Sequence, residues 1–208
     1  MSEYSAPNHA LAYLARAGQL PHRAEGEAVL LELLPRETRH VLDLGTGDGR
    51  LLAIVKQAYP QAHGLALDFS PTMLAAVRER FAGDPTVAVI EHDLNQSLPE
   101  LGPFDAVVSS LAIHHLAPTR QYQLYEEVFA RLEPGGVFCN LEHVSSPNVA
   151  LHEAFYNAIG RSVADEDESN HLVSVDMHLD WLGRIGYADA DCFWKWRELA
   201  LVAGTRPS

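Results

Sequence analysis

The chain is poor in several things. Of its 208 residues only 2 are cysteines, Cys139 and Cys192, so no disulfide scaffold is available to it, and each sits in an apolar run as a buried thiol would. Basic residues are scarce: 15 Lys and Arg stand against 28 Asp and Glu, a formal net charge of -13. A broad phosphate-binding surface needs the opposite balance, so no nucleic-acid partner is expected. No apolar run reaches membrane-spanning length, and the N-terminal MSEYSAPNHA has no basic segment leading an apolar one. A cytoplasmic protein, monomer or homodimer, acting on a small molecule is the expectation.

What the chain does have is a buried-strand pattern, Val41-Leu42-Asp43-Leu44, emptying into Gly45-Thr46-Gly47-Asp48-Gly49. Leu51, Leu52 and Val55 follow at helical spacing. Strand, glycine turn and helix together present backbone N–H groups and a helix N-terminus to a ligand. Further short apolar strands are predicted at 64–68, 87–90, 104–110 and 137–141, alternating with helical patterns. That rhythm predicts a parallel sheet covered on both faces. One predicted helix is started by Ser70-Pro71, with Ser70 as N-cap, and carries Met73, Leu74, Val77 and Phe81 on its apolar face. The last two strands, 188–196 and 198–203, are too close for a parallel crossover and must form a hairpin. Helices at 6–18 and 24–34 are expected to form an N-terminal cap over residues 1–37, ahead of a domain at 38–205. The irregular stretch 146–174, with Asp165-Glu166-Asp167-Glu168, is expected to be a lid or insertion on the acceptor side.

The glycine turn alone leaves the ligand open. A dinucleotide fold would use G-x-G-x-x-G, with Asp68 at a suitable distance for a ribose, but the third glycine position is Arg50. A P-loop is excluded because no Gly-Lys-Ser/Thr follows. An NAD-dependent oxidoreductase therefore stands as one alternative. A non-catalytic binding or partner protein retaining the same fold is another.

Asp43-Leu44-Gly45-Thr46-Gly47-Asp48-Gly49 resembles the D-x-G-x-G-x-G signature of the class I S-adenosylmethionine-dependent methyltransferases, small-molecule type. The resemblance extends through Asp68, Asp93-Leu94, Phe104-Asp105-Ala106-Val107-Val108 and Leu132-Glu133-Pro134-Gly135-Gly136. It implies an α/β, Rossmann-like seven-stranded sheet of order 3-2-1-4-5-7-6 with strand 7 antiparallel and helices on both faces. It implies S-adenosyl-L-methionine held by Asp43, Gly45, Thr46, Gly47 and Gly49, with Asp68 on the ribose. Phe69 and Met73 would flank the adenine, Asp93 and the Leu94 N–H would meet its edge, and Ser109 would face the cleft. Direct in-line methyl transfer asks mainly for alignment, and for a base only when the acceptor arrives protonated. The loop after strand four, Ser109-Ser110-Leu111-Ala112-Ile113-His114-His115, lacks the Asn/Asp-Pro-Pro-Tyr/Phe motif of amino-group methyltransferases. His115 and His114 are the candidate catalytic residues. A divalent metal is not expected, for no compact motif exists; Glu142, His143 and His171 are the residues that could hold one.

Overall fold

The structure is a computed structural model that describes residues 20–208. The helix expected at 6–18 lies outside the described residues. Six α-helices and seven strands follow: α1 (Arg23–Leu33), β1 (His40–Leu44), α2 (Arg50–Ala58), β2 (His63–Asp68), α3 (Pro71–Arg80), β3 (Val87–Glu91) and β4 (Phe104–Ser110). The second half contains α4 (Pro118–Arg131), β5 (Leu132–His143), α5 (Val149–Ala158), α6 (Val175–Ile185), β6 (Ala188–Trp196) and β7 (Leu199–Thr205). One sheet of order β3-β2-β1-β4-β5-β7-β6 results. Strands β1 to β5 run parallel, and β7 pairs antiparallel with both β5 and β6.

Side chains of the central strands divide by parity, as a sheet buried on both faces requires. Leu42, Leu44, Val107 and Phe138 enter one core with Leu124, Tyr125 and Val128 of α4 and Trp181 and Leu182 of α6. Val41, Ala106, Val108 and Cys139 enter the other with Leu30 of α1, Leu51, Leu52 and Val55 of α2, and Val77 of α3. Both cysteines are free thiols, on β5 and β6, with β7 running between those strands.

Helix α1 lies on the sheet. A Cβ added to Gly26 would come within 2.8 Å of Leu141 and 2.9 Å of Trp194, so glycine there sets how closely α1 meets β5 and β6. Its Glu27, 2% exposed, accepts from Arg50 Nε at 2.9 Å and Nη2 at 2.7 Å and pairs with Arg23 Nε at 2.9 Å. Arg50 thus uses the position where a dinucleotide fold has its third glycine to tie α2 to α1.

Two local expectations are corrected. Ser70 holds the N-cap position of α3 with Pro71 following, as expected, but without a side-chain cap: its hydroxyl is buried without a hydrogen-bond partner, while its backbone N–H donates to Asp68 Oδ1 at 2.8 Å. The stretch 146–174 is not irregular throughout, because α5 fills 149–158, capped by Asn148, whose side-chain oxygen accepts from Leu151 N at 3.0 Å.

Candidate functional site

Parallel strands end at one edge, and a ligand cleft forms there where the strand order reverses, between β1 and β4. Leu44 of β1 is in register with Ser109 of β4, so the glycine turn and the histidine loop leave the sheet side by side. They touch: a Cβ on Gly45 would overlap that of Ala112. A Cβ on Gly49 would lie 2.7 Å from Val77 and 2.8 Å from Phe81, whereas one on Gly47 would meet nothing within 4 Å. All three have positive φ, at 62°, 57° and 79°. Gly45 and Gly49 are therefore glycine for packing as well as for turning, and Gly47 alone faces open space.

Two carboxylates flank this turn. Asp43, 1% exposed, accepts from the Thr46 hydroxyl at 2.6 Å. Burial raises its pKa to about 7, against the lowering effect of Thr46. Asp68 accepts from Gly47 N at 2.9 Å and from Ser70 N at 2.8 Å, so it fixes both the turn and the start of α3. Burial raises its pKa too. With the Phe69 N–H also reaching the carboxylate, Asp68 keeps acceptor capacity for a further hydroxyl donor. A fully buried carboxylate asks for a cation, and Asp68 for hydroxyls, beside a glycine with open space. The chemistry of this donor set fits S-adenosylmethionine, with its ammonium and its ribose.

The other residues expected at the cofactor are placed as follows. Met73 is buried and Phe69 half-buried, both just beyond Asp68. Asp93 is exposed and accepts from Asn95 N and Nδ2, each at 2.9 Å. Leu94 is buried, and its carbonyl accepts from Arg120 Nε at 2.7 Å. Ser109 is fully buried, and its hydroxyl donates to the Leu44 carbonyl at 2.9 Å, joining β4 to β1.

On the other side of the cleft edge, His114 and His115 form one short turn, their rings 4.1 Å apart. The Glu142 carboxylate, at the end of β5 and fully buried, is met by His114 Nδ1 and, at 3.1 Å, by His114 N. Burial alone would raise the Glu142 pKa, but the His114 imidazole brings it below the ordinary value. His115 Nδ1 meets Ser169 Oγ at 3.0 Å, and that hydroxyl donates to Asp167 Oδ1 at 2.7 Å. Burial, with His114 beside it, pushes the His115 pKa down to about 3.

A polar cluster backs this pair. Asn140 Nδ2 donates to the Tyr125 hydroxyl at 2.9 Å and to Glu142 Oε2 at 3.3 Å, and Tyr125 Oη meets His178 Nδ1 at 2.9 Å. Burial lowers the His178 pKa to about 4. Tyr125, Asn140 and Ser169 lie beyond what sequence reasoning assigned, and Glu142 was considered there only as a possible metal ligand. A usable signal did exist: β5 neighbours β4 in the sheet order, which puts Glu142 next to the histidine loop.

The residues considered for a metal are used otherwise. His143 Nε2 meets Glu198 at 3.0 Å, and His171 is exposed, contributing its backbone N–H to the His114 carbonyl at 2.7 Å. Among the described residues no group of three or more His, Cys, Asp or Glu is arranged to hold a metal ion. Among them, too, no helix is long and apolar enough to cross a membrane.

Residues 41–136 match the model of a family described as a methyltransferase domain. Among curated relatives, an uncharacterized methyltransferase of Mycobacterium tuberculosis is 37% identical over 94 residues, 45% of this chain and 46% of the relative. The malonyl-[acyl-carrier protein] O-methyltransferase of a Marinomonas species is 35% identical over 125 residues, 58% and 45% of the two chains. The matches thus span about half the length of these relatives. The crystal structure of human N-acetylserotonin methyltransferase with S-adenosylmethionine superposes with a TM-score of 0.71 at 16% identity, covering 99% of this chain and 58% of the other. The matched domain, the glycine signature and the sheet order with its antiparallel seventh strand are all similar to those of the class I S-adenosylmethionine-dependent methyltransferases.

Proposed function

We propose that this chain transfers a methyl group from S-adenosylmethionine to a small-molecule acceptor, and that His114, oriented by Glu142, receives the proton the acceptor gives up. The observation that carries the reading is the contact of Gly45 with Ala112, which brings the carboxylate-flanked glycine turn against the histidine loop. S-adenosylmethionine, when bound, supplies an electrophilic methyl on a sulfonium sulfur, so alignment provides much of the rate.

The chain's own residues divide the remaining work. Asp43 offers negative charge to the ammonium, and Asp68 accepts from the ribose hydroxyls while keeping Gly47 in place. Phe69 and Met73 supply apolar surface for the adenine, with Asp93 and the Leu94 N–H near its edge. Glu142 accepts a hydrogen bond from the Nδ1–H of His114, which leaves Nε2 as the basic nitrogen and stabilises the imidazolium once it forms. His115, held neutral by burial and set in one tautomer by Ser169 and Asp167, lines the acceptor side without exchanging protons near neutral pH. The segment holding Ser169 covers this side as a lid.

Isothermal titration with S-adenosylhomocysteine, S-adenosylmethionine and NAD(H) tests the reading, followed by methyl transfer from labelled S-adenosylmethionine to a panel of acceptors. Binding of the two sulfur compounds with transfer to a small acceptor is expected. NAD(H) binding without either sulfur compound would overturn it.

A further inference from the structure

We infer that His152 is a protonation-controlled latch: charged, it holds the segment 162–170 closed against α5, and neutral, it lets that segment loosen. That this segment covers the acceptor side rests on the methyl-transfer reading above, to which the latch adds the regulation of that side.

The segment is a small preformed unit. Ser162 N donates to Asp165 Oδ2 at 2.9 Å and Ala164 N to Ser162 Oγ at 3.2 Å, which caps a single turn at Val163–Asp165. Beyond it the chain is tied by backbone bonds, from His171 N to the His114 carbonyl at 2.7 Å and from Ser145 N to the Val173 carbonyl at 2.9 Å. Within the segment the ties run through two imidazoles. His115 Nδ1 meets Ser169 Oγ at 3.0 Å, and His152 Nε2 lies 3.3 Å from Glu166 Oε2.

His152, on α5, faces a carboxylate at each ring nitrogen. Its Nδ1 is 2.9 Å from Oε1 of Glu198, a fully buried residue between β6 and β7, while Nε2 faces Glu166. A carboxylate only accepts, so both contacts are hydrogen bonds only when both nitrogens carry protons, as in the imidazolium. Around this pair stand His143, Ser146, Tyr156 and Arg161. His143, at the end of β5, meets Glu198 Oε2 at 3.0 Å through Nε2, and burial keeps its pKa below the ordinary value. Ser146 donates to Glu198 as well. Tyr156, with its ring 5.0 Å from that of His152, donates its hydroxyl to Glu166, and Arg161 lies 5.7 Å over the Tyr156 ring. Burial works against a charge on His152, but Glu198 and then Glu166 outweigh it and hold its pKa above the ordinary value.

Loss of one proton acts on one side of the ring. Glu198 is fully buried and Glu166 is partly exposed, so the remaining proton stays on Nδ1, where its removal would strand a buried acceptor. Nε2 then turns a lone pair toward the Glu166 carboxylate, and attraction becomes repulsion. Tyr156 still reaches Glu166, so the segment loosens without detaching. The closed form binds this proton more tightly than the open one, whose imidazole titrates at about 6.5. The added closure is complete below that value and is lost as pH rises through the raised pKa of the closed form. The His115 tie does not change over this range, because that ring stays neutral down to about 3.

The test is hydrogen exchange of the segment 162–170, read by mass spectrometry on the full chain with and without S-adenosylhomocysteine, at pH 6 and pH 9. Rates are divided by those of unstructured peptide at each pH. Protection of the segment is expected to fall about threefold or more from the lower pH to the higher, as for a partly exposed charge pair, while β4 keeps its protection. Glu166→Gln supplies an amide that accepts from the charged ring and donates to the neutral one, so its protection should be the same at both pH values. Imidazole NMR should place the His152 pKa above 6.5 in the natural chain and lower in Glu166→Gln. Protection that does not fall with pH, a fall that persists in Glu166→Gln, or a His152 ring titrating at or below 6.5 overturns the latch and leaves methyl transfer standing. Failure to bind S-adenosylhomocysteine overturns the methyl-transfer reading, and the acceptor-side role of the segment with it, even where the latch responds.

Discussion

The backbone N–H of Gly47 donates to Asp68 Oδ2 at 2.9 Å, across 21 residues of sequence, so this carboxylate and the glycine turn are one mechanical unit. Asp68→Ala removes the acceptor proposed for two ribose hydroxyls and also releases Gly47 and Ser70. Hydrogen bonds to a charged group contribute about 1.5–3 kcal/mol each, so S-adenosylhomocysteine affinity should fall by about a hundredfold or more. Calorimetry measures this directly, and affinity within a factor of three of the natural chain would remove Asp68 from the ribose.

The three glycines should separate stability from binding. An alanine at any of them must hold positive φ, at a cost of about 1–2 kcal/mol. Gly45→Ala and Gly49→Ala also push into Ala112, Val77 and Phe81, so their melting temperatures should drop well below that of Gly47→Ala. Gly47→Ala has room for its methyl and should lose cofactor affinity instead. Equal melting temperatures for all three variants would contradict this division.

The sheet was legible because apolar runs mark the parallel strands, the first three ending in glycine or acid, and the short spacing before Leu199 left only a hairpin. Strand order came from the resemblance and not from periodicity. Helix α5 escaped because its buried face is short, resting on Phe155 and Tyr156, while the apolar Val149 and Leu151 are 71% and 47% exposed. Asp43, Gly47 and Asp68 could be placed in the sequence because the turn itself brings them together. The partners of the histidines could not, since Glu142 lies 28 residues from His114 and Ser169 54 residues from His115. In the sequence Glu142 stood only among the residues that could hold a metal, with no metal expected; in the structure its carboxylate is met by the His114 imidazole.

Cofactor binding should depend on pH through Asp43. Its pKa of about 7 in the unliganded chain means that it carries a proton for much of the time below neutrality. A bound ammonium favours the carboxylate, so binding releases that proton, and affinity rises as pH increases to about 7 and then levels. Titrations at pH 6 in buffers of different ionisation enthalpy should show proton release that disappears in Asp43→Asn. Release that persists unchanged in that variant would assign the proton to another group.

Glu27 holds α1 onto the rest of the domain. It is buried, and both Arg23 and Arg50 converge on it. Removing one partner of a buried ion pair leaves uncompensated charge, so Glu27→Ala should cost about 3–5 kcal/mol, discounted toward the lower end because Arg50 is partly exposed. Denaturant unfolding measures it. A loss under 1 kcal/mol would mean that water replaces Glu27 at both guanidinium groups.

His115 and His114, although adjacent, should behave differently in solution. With its pKa near 3, His115 stays neutral through the range in which an ordinary imidazole titrates. The unfolded chain takes up a proton near pH 6.5 that the folded ring refuses until about 3, so this residue makes stability fall as pH falls across that window. Ser169 donates its own proton to Asp167 and therefore accepts from His115, placing the His115 proton on Nδ1. Imidazole 15N spectra should show that tautomer unchanged between pH 5 and 8, and Ser169→Ala should let the Nε2–H form appear. In a turnover assay His114→Gln should abolish the dependence on a basic group, whereas His115→Gln should lower the rate and leave the pH profile in place. A His115 ring that titrates near pH 6.5 would reverse the assignment and make it the proton acceptor.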